Sequence, residues 1–401
     1  MKRVRQLGET LLLTLIVASV ALAGGFQLNE HGASAMSQGG AFAARASDAS
    51  AIYFNPAGLG FQTTGSIYLG ATGIVPTISF YGPAQNNTNA ETKMNSQFFT
   101  PINAYITYPV MDRLQVGVGA YNAYGLGTEW PDNWSGKNLV TKVDLKTYWF
   151  TPTVAYRLAD NLSIGAGVSY VSGTLLLKKA APFDSRVTLD MTAHGWGFDG
   201  GIDYKATPQL TVGLSYRSKV KVDANGSAGF VPDIPVLPDG GVKASISLPA
   251  TGYAGVAYKF SDALSLEADY QYIGWSSYDN LTFTFTKDGS STSAPKNYSD
   301  TYILRVGGEY SLGSLKFRAG YYYDHTPVSD AYVDPLLPDA NRHGLSAGIG
   351  LNLTEHLKID AGYLLIKFLD RTVTNTIPAT SFDGTYKSYA NLFSLDLGYS
   401  L

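Results

Sequence analysis

One short string in the sequence has the spacing of a hydrolase nucleophile. Gly344-Leu345-Ser346-Ala347-Gly348 fits G-x-S-x-G, and His343 stands beside it as a candidate base. That motif works only where a sharp strand-to-helix turn lifts the serine hydroxyl away from the backbone. Here apolar and polar residues alternate along 342–353, which predicts a β-strand with Ser346 on its polar face. The alternation therefore favours a structural serine, and we do not expect an enzyme.

The other side chains that could support catalysis lack the required spacing. His31, His194, His325 and His356 form no i,i+4 pair and no H-E-x-x-H motif. The chain has no cysteine, which excludes a disulfide framework and a thiolate metal site. It has no G-x-x-x-x-G-K-[ST] phosphate loop, and its net charge of −3 shows no basic excess. The sequence therefore predicts no metal, no cofactor and no nucleic-acid partner.

The N-terminus carries the pattern of a secretory signal. Lys2, Arg3 and Arg5 precede an apolar run over 11–23 that ends in the small-x-small string Ala21-Leu22-Ala23. We expect residues 1–23 to be a signal peptide and the mature chain to begin at Gly24. The run is too short to span a bilayer, and nothing downstream reaches the roughly 18 apolar residues that a transmembrane helix needs.

From residue 64 onward the chain is a series of strands joined alternately by tight turns and by longer loops. Six strands that follow tight turns resemble one another: LQVGVGAY at 114, LSIGAGVSY at 162, LTVGLSY at 210, LSLEADYQY at 264, LKFRAGYYY at 315 and LKIDAGYLL at 357. Along each, apolar residues alternate with small, polar or charged ones, so each strand has an apolar and a polar face. The predicted strands are 14, at approximately 64–81, 97–110, 114–124, 143–158, 162–178, 186–206, 210–222, 242–260, 264–287, 298–311, 315–326, 342–353, 357–370 and 386–401.

This alternation fits two architectures. A soluble sandwich buries the apolar face against a second sheet, whereas a membrane barrel turns it toward lipid and keeps the polar face inside. The signal peptide, the contrast between short turns and long loops, and a content of 28 Tyr and 43 Gly favour the barrel. The last strand also resembles the C-terminal assembly signal of bacterial outer-membrane barrels, although those usually end in Phe and this one ends in Leu401. The predicted fold class is an all-β membrane protein, a 14-stranded antiparallel transmembrane β-barrel over 64–401.

The size of this barrel indicates a plug. Eight strands fill their interior with side chains, while 16 to 18 leave an aqueous channel, so 14 strands leave a hole unless a segment occupies it. Residues 24–63, rich in Ala, Ser and Gly, are small enough to pack inside and come directly before the first strand. Within them, Pro56 restricts Asn55 to an extended conformation. We predict that 24–63 form an N-terminal hatch in the lumen.

Several blocks of sequence together resemble one family. They are GFQLNE at 25–30, the small-residue stretch behind it, Asn55-Pro56-Ala57, GAYNAYGLGTEWPDNW at 119–134 and the terminal hairpins. These resemble the FadL family of outer-membrane long-chain fatty acid transporters, which includes channels for toluene-like hydrocarbons. The similarity covers essentially the whole mature chain, and the N-terminal block is its most specific part.

The resemblance implies a barrel occluded by an N-terminal hatch, with a hydrophobic groove among the outer loops. It further implies an interior site that touches the N-terminus, and sideways release at a kink in the third strand, here Leu114 to Gly125. Phe26 matches the aromatic residue of the interior site. Lys178, Lys179 and Lys296 occupy regions in which the family places basic residues for the ligand. The loop at about 179–186 is short for the family.

A fatty acid site needs apolar length and a cation or donor for the carboxylate. Alternation places Arg305, together with Lys316 and Arg318, in the lumen as further candidate cations. The alternative is structural: lumen cations pair with acids such as Glu309, and exposed lysines contact lipopolysaccharide phosphates.

Two apolar groups in predicted outer loops are candidates for ligand contact. The loop predicted from Asp223 to Gly241 contains Phe230, Val231, Ile234, Pro235, Val236 and Leu237. Apolar residues on an outer loop indicate a ligand groove or packing of the loop on itself. Trp130 and Trp134 lie four residues apart, so one helical turn would bring their rings together. Anchoring in the membrane interface is the alternative for these tryptophans.

The leading hypothesis is a passive outer-membrane uptake channel for hydrophobic compounds in a Gram-negative bacterium, with long-chain fatty acids as the expected substrate. We expect a monomer surrounded by outer-membrane lipid and lipopolysaccharide. The alternatives are a monoaromatic hydrocarbon channel of the same fold, a general porin for polar solutes and an outer-membrane lipase that uses Ser346. A cation near the interior pocket would favour the acid, and a wholly apolar pocket would favour the hydrocarbon.

Overall fold

The structure is a computed structural model that describes residues 25–83, 89–374, 377 and 382–401. The predicted signal peptide, 1–23, lies outside these residues. Within them, no helix combines the length and the apolar character needed to cross a membrane.

The described chain forms one closed antiparallel β-barrel, as predicted. Its segments are β1 Ser66–Tyr81, β2 Glu91–Lys93, β3 Ile102–Met111, β4 Leu114–Tyr121, β5 Gly125–Glu129, β6 Lys142–Ala159, β7 Leu162–Ala181, β8 Ser185–Lys205, β9 Leu210–Arg217, β10 Val220–Val231, β11 Gly240–Leu248, β12 Thr251–Lys259, β13 Leu264–Ile273, β14 Asn280–Phe285, β15 Ser291–Pro295, β16 Thr301–Leu312, β17 Leu315–Asp324, β18 Arg342–Asn352, β19 Leu357–Phe368, β20 Arg371–Val373 and β21 Gly384–Ser400.

Six barrel strands consist of two successive segments each: β4 and β5, β9 and β10, β11 and β12, β13 and β14, β15 and β16, and β19 and β20. The short β2 pairs with the end of β1 and is not a barrel strand. The barrel closes because β1 pairs with β21 on one edge and with β3 on the other. This arrangement gives 14 strands and confirms the predicted fold class.

Two predicted boundaries are wrong. The strand predicted at 97–110 begins only at Ile102, because Pro101 has no N–H to donate to a ladder. The loop predicted from Asp223 to Gly241 is instead largely strand, since β10 and β11 pair from Val220↔Leu248 to Ala228↔Gly240. Glycines at 226 and 229 lack side chains and so obscure the period-two pattern in this stretch.

The apolar face of the strands points out of the barrel and the polar face points into it, as the alternation in the sequence predicts. On β18, Leu345 and Ile349 are 58% and 52% exposed on the outer face, whereas Ser346 is 8% exposed. On β21, Leu395 is 59% exposed and Asp396 is fully buried. The apolar face of the barrel is therefore outside, where lipid covers it, and polar side chains face the lumen.

Residues 25–63 lie inside the barrel as a compact hatch. They form the short helices α1 Ala33–Met36 and α2 Ala51–Phe54 and a 3₁₀ helix, Pro56–Phe61. Asn55 is extended, and its Oδ1 accepts a 3.1 Å hydrogen bond from the Ala57 N–H, which caps the 3₁₀ helix. Small residues allow close packing against the wall: a Cβ added at Gly320 would lie 2.1 Å from the Gln38 carbonyl carbon.

Acidic side chains of the wall hold the hatch by its backbone. Asp269 Oδ2 accepts hydrogen bonds from the N–H groups of Phe42 and Ala43, at 2.9 and 3.0 Å. Glu267 accepts from the N–H groups of Ala44 and Arg45, at 2.7 and 3.2 Å. Four successive backbone N–H groups of the hatch thus find their partners on two buried side chains of the wall, which clamp residues 42–45.

Candidate functional site

The third barrel strand is interrupted between β4 and β5. β4 pairs with β3 on one side and β6 on the other, whereas β5 pairs with β6 alone among the named strands. Opposite β5, residues 95–101 form no named strand; they are joined to β1 by a bridge from Phe99 to Ile74 and by a 3.0 Å hydrogen bond from Thr72 N–H to Pro101 O. The resulting opening, the wall gap, lies between 122–129 and 95–102. It is bounded at one end by the 2.7 Å hydrogen bond from Asn95 N–H to Glu129 O.

Side chains satisfy the backbone groups that the interrupted ladder leaves free. Asn122 Oδ1 accepts from the Ile102 N–H at 2.8 Å, and its Nδ2 donates to Thr147 O at 2.6 Å. The Thr147 hydroxyl donates to Tyr124 O at 2.7 Å and accepts from the Tyr124 N–H at 3.1 Å. An amide and a hydroxyl thus replace ladder hydrogen bonds and give partners to backbone groups of Ile102, Tyr124 and Thr147 at the wall gap.

The start of the hatch pairs with this same interruption. The Leu28 N–H donates to Ala123 O at 2.9 Å, and the Gly125 N–H donates to Phe26 O at 2.8 Å. Gln27 lies opposite Tyr124 as an antiparallel bridge. Movement of the first hatch residues therefore breaks backbone hydrogen bonds at the wall gap, which couples the hatch to the opening.

A cavity of about 510 Å³ runs from the wall gap to the hatch. At the wall it is lined by Phe98, Phe99 and Leu126, and in the lumen by Leu28 and Glu30. The Phe99 ring lies over Gly127, where an added Cβ would come within 2.0 Å of the ring. Glycine at 127 is therefore required for an aromatic side chain to lie across the opening.

The inner end of the cavity carries charge. Arg342 lines it and forms an ion pair with Asp324, with Nη2 2.6 Å from Oδ2. Its guanidinium lies next to Gly25, because a Cβ added there would be 3.0 Å from Nη2. Burial raises the pKa of the hatch residue Glu30, while Arg342 and Arg305 oppose that rise. A raised pKa favours the neutral form of Glu30. Glu30 therefore neutralises less of the positive charge of Arg342 than an ionised carboxylate would.

Phe26 packs among aromatic rings beside the cavity. Its ring centroid is 4.9 Å from Trp275, 5.6 Å from Tyr124 and 6.2 Å from Tyr278. The side chain is 2% exposed. Phe26 therefore fixes the first hatch residues beneath the outer loops, while its neighbours line the cavity.

Trp130 and Trp134 stack on each other, with centroids 4.4 Å apart and planes 10° from parallel. A turn, and not the helical turn that we predicted, brings them together. Their Nε1 groups donate to Pro335 O at 2.9 Å and Val140 O at 2.7 Å. Because both are almost fully buried, they pack beneath the outer loops and do not lie in the membrane interface.

The predicted basic residues lie in different environments. Lys178 is exposed, Lys179 is buried, and Lys296 is 1% exposed with Nζ 3.8 Å from Asp334 Oδ2. Arg305 donates to Gly39 O at 2.8 Å and to Gln271 Oε1 at 2.7 Å, so it holds the hatch. None of the four lines the cavity.

The predicted apolar loop is divided between the interior and the surface. Phe230 and Leu237 are buried, and Ile234 is half-buried. Val231 and Val236 are 73% and 67% exposed. This segment therefore has two residues in the interior and presents two valines to the outside.

Sequence reasoning did not identify Phe99, Asn122 or Arg342 as site residues. Asn122 could have been found, because it interrupts the alternation of GAYNAYGLG. Arg342 begins β18 and resembles any charged residue at a strand end. Its role depends on the hatch beside it, which no local pattern indicates.

The loop over 326–341 forms a roof above the lumen. Thr128 Oγ1 donates to Leu336 O at 2.9 Å, and Arg371 Nη1 donates to Asp339 O at 2.8 Å. Asp334 of this loop forms the buried pair with Lys296. Burial lowers the pKa of Lys296 to about 8, and Asp334 opposes that shift.

We expect Lys296→Met to loosen this roof. Removing one partner of a buried ion pair costs about 3–5 kcal/mol, because the other charge remains buried. Loop 326–341 should then be cut by an added protease in intact cells, where the unmodified protein resists. The double variant Lys296→Met/Asp334→Asn should recover much of the protection. Equal cleavage of the single variant and the parent would show that the pair does not hold the roof.

The geometry defines a class of protein: an outer-membrane β-barrel transport protein whose hatch and wall enclose a largely apolar cavity. The family model described as outer membrane protein transport protein (OMPP1/FadL/TodX) matches residues 14–401. The chain belongs to this family of outer-membrane transporters for hydrophobic compounds.

Known relatives agree with this assignment. Outer membrane protein P1 of Haemophilus influenzae is 26% identical over 99% of this chain and 100% of its own length. The long-chain fatty acid transport protein of Escherichia coli K12 is 25% identical over 86% of this chain and 88% of its own. Among solved structures, a Pseudomonas aeruginosa FadL homologue superposes with a TM-score of 0.84 at 24% identity, over 94% of this chain and 99% of its own. The Ralstonia pickettii toluene transporter TbuX gives a TM-score of 0.71 at 21% identity, over 93% and 99%.

Proposed function

We propose that the protein takes up long-chain fatty acids by passive diffusion. The acid is captured at the outer loops, passes to the cavity beside the hatch and leaves sideways through the wall gap into the membrane. The observation that carries the proposal is the cavity itself, which joins an apolar opening in the wall to a buried guanidinium at Arg342.

The energetics suit an amphiphile with one acidic end. Burying an alkyl chain contributes about 0.8 kcal/mol per methylene. A hydrogen bond from a charged donor contributes about 1.5–3 kcal/mol more. The E. coli relative, whose name specifies long-chain fatty acid transport, supports the same substrate class.

In this proposal, other predicted residues act at steps that precede binding of the ligand in the cavity. Val231 and Val236 offer the apolar surface for first capture. Phe26 keeps its chain neighbours Gly25 and Gln27 in place as part of the cavity lining.

A growth assay tests the proposal. A strain that lacks this gene and depends on the added carbon source should grow on oleate when it carries the chain, and poorly when it carries Phe26→Ala. Phe→Ala substitutions in packed sites cost about 3–5 kcal/mol, enough to displace the first hatch residues. Gly25, Gln27 and Leu28 would then no longer line the cavity that holds the acid. Unchanged growth of the deletion strain on oleate with or without the chain would exclude fatty acid uptake.

The second candidate substrate is a monoaromatic hydrocarbon. Its supporting observation is the apolar wall of the cavity at Phe98, Phe99 and Leu126, which suits an uncharged ring as well as an alkyl chain. A neutral hydrocarbon gains nothing from Arg342, so the cation separates the two substrates.

We expect the double variant Asp324→Asn/Arg342→Gln to lose oleate uptake selectively. It removes both charges together and leaves neither one unpaired. If the carboxylate binds the guanidinium, apparent oleate affinity should fall roughly 10- to 100-fold, since each 1.4 kcal/mol is a factor of ten. Toluene uptake should not change. Equal losses of uptake for oleate and toluene would indicate structural damage. No loss for either substrate would show that the carboxylate does not bind at Arg342.

A further inference from the structure

Two depressions lie one above the other on the outer surface of three neighbouring barrel strands. These strands are separate from the interrupted third strand formed by β4 and β5. The lower groove, about 530 Å³, lies on β9, β12 and β13 with part of β8. The upper depression, about 560 Å³, lies on β10, β11 and β14. Because β9 continues into β10, β11 into β12 and β13 into β14, both belong to the same face of the barrel.

The strand register creates the lower groove. One row across four strands consists of Gly200, Tyr216, Gly252 and Tyr272. The row below consists of Ile202, Leu214, Ala254 and Tyr270. Tyr216 and Tyr272 are 50% and 41% exposed and so point outward. Small residues of β12 therefore form a floor between taller side chains of β9 and β13.

The width of this groove matches one hydrocarbon chain. Neighbouring strands are about 4.8 Å apart, so the side chains on β9 and β13 stand about 10 Å from each other. A chain lying midway over Gly252 and Ala254 is about 5 Å from each row, close to van der Waals contact. A strand of a second barrel carries side chains on its own outer face and cannot reach this floor. An acyl chain is therefore the occupant that fits.

The upper depression is polar. Its outward-facing rows are Asp223, Ser245 and Thr282, and Asn225, Lys243 and Thr284. Lys243 is exposed, and Lys221 Nζ lies 3.4 Å from Asp223 Oδ1 at the same edge. Asp223 follows Tyr216 by seven residues, with Ser218 and Lys219 between the two strand segments, so the two lie at most about 23 Å apart along the strand. The apolar floor thus gives way to hydroxyls, amides and lysines above the membrane.

We infer that this face binds one outer-leaflet glycolipid of the lipopolysaccharide type, with an acyl chain in the lower groove and its phosphorylated sugars on the upper depression. Serine, threonine and asparagine side chains supply donors and acceptors for sugar hydroxyls. Lys219, Lys221 and Lys243 provide cations for phosphate. Of the nearby acids, Asp223 pairs with Lys221, and Asp300 accepts hydrogen bonds from Tyr272 and Ser276. The site does not depend on the transported substrate.

Native mass spectrometry of the detergent-purified protein tests this inference with lipopolysaccharide of one defined chemotype. We expect one glycolipid per barrel. Ala254→Leu, which fills the groove floor, should lower the apparent affinity about tenfold, a change of ~1.4 kcal/mol. Ala347→Leu makes the same change at another exposed position of the lipid-facing surface, on β18, and should have no effect.

A second pair of variants tests the upper depression. Lys243→Ala should weaken binding, whereas Lys287→Ala, at an exposed turn, should not. If phosphatidylethanolamine at equal concentration displaces the lipopolysaccharide, the glycolipid assignment is overturned. The lower groove would then bind acyl chains without selecting the headgroup. Equal effects of Ala254→Leu and Ala347→Leu, or a protein dimer that Ala254→Leu disrupts, would overturn the site altogether.

Discussion

Joining Gln27 to Tyr124 by an engineered disulfide is expected to stop uptake. The two residues face each other across an antiparallel bridge whose hydrogen bonds are made by their neighbours. Such pairs have Cα atoms about 4.5 Å apart, within the range that disulfides span. Since the chain has no cysteine of its own, Gln27→Cys/Tyr124→Cys introduces a single pair. The crosslink fixes the start of the hatch to the wall gap.

The expected loss is large because, in the proposed pathway, these backbone hydrogen bonds must break before the ligand can pass. If the hatch must leave the wall before ligand can pass, oxidation should reduce oleate uptake by at least about tenfold, which corresponds to ~1.4 kcal/mol. Reductant should restore it in the same cells. That reversal separates the crosslink from loss of the Tyr124 ring, which also packs on Phe26.

The control is a matched pair outside the wall gap. Thr372 and Thr385 face each other on β20 and β21, with hydroxyl oxygens 2.8 Å apart. Thr372→Cys/Thr385→Cys should crosslink without affecting uptake. Full uptake by the oxidised Gln27→Cys/Tyr124→Cys protein would mean that ligand passes without movement of the first hatch residues.

The barrel could be predicted from sequence because its signal is local and repeated. Each strand shows its two faces within a few residues, as Leu345 and Ser346 do, and small errors in one strand do not alter the count. The errors occur where local signals are weak. Glycines obscured the upper part of β10, and a turn took the place of the helix predicted at Trp130 and Trp134.

The site depends on contacts between distant parts of the chain, which is why less of it could be predicted. Arg342 and Gly25 meet only because the hatch enters the barrel. The role of Asn122 depends on its hydrogen bonds with Ile102 and Thr147, which lie on two other strands. Alternation places Arg305 in the lumen, yet whether such a cation binds ligand or holds the hatch depends on the backbone that lies next to it.

The second large effect is expected from removing the two acidic side chains that clamp the hatch. Glu267 and Asp269 are almost fully buried and hold residues 42–45 by backbone N–H groups. A buried donor left without a partner costs about 1–3 kcal/mol. Glu267→Ala/Asp269→Ala removes these partners from four hatch N–H groups, so it removes a substantial part of what keeps the hatch in place. We expect the barrel to remain folded, because neither residue's side chain supports the strand ladders.

Release of the hatch should convert a closed barrel into a pore. A lumen of 14 strands is wider than its wall side chains can fill, so it conducts ions once the hatch moves. Single-channel conductance of Glu267→Ala/Asp269→Ala should approach that of a variant that lacks residues 25–63, and cells should become sensitive to a large polar antibiotic. Asp112→Ala/Asp160→Ala, which changes two acids at exposed turns, should stay closed. Conductance that is already high before any substitution would favour a general porin, because a hatch that fills the lumen leaves polar solutes no open path.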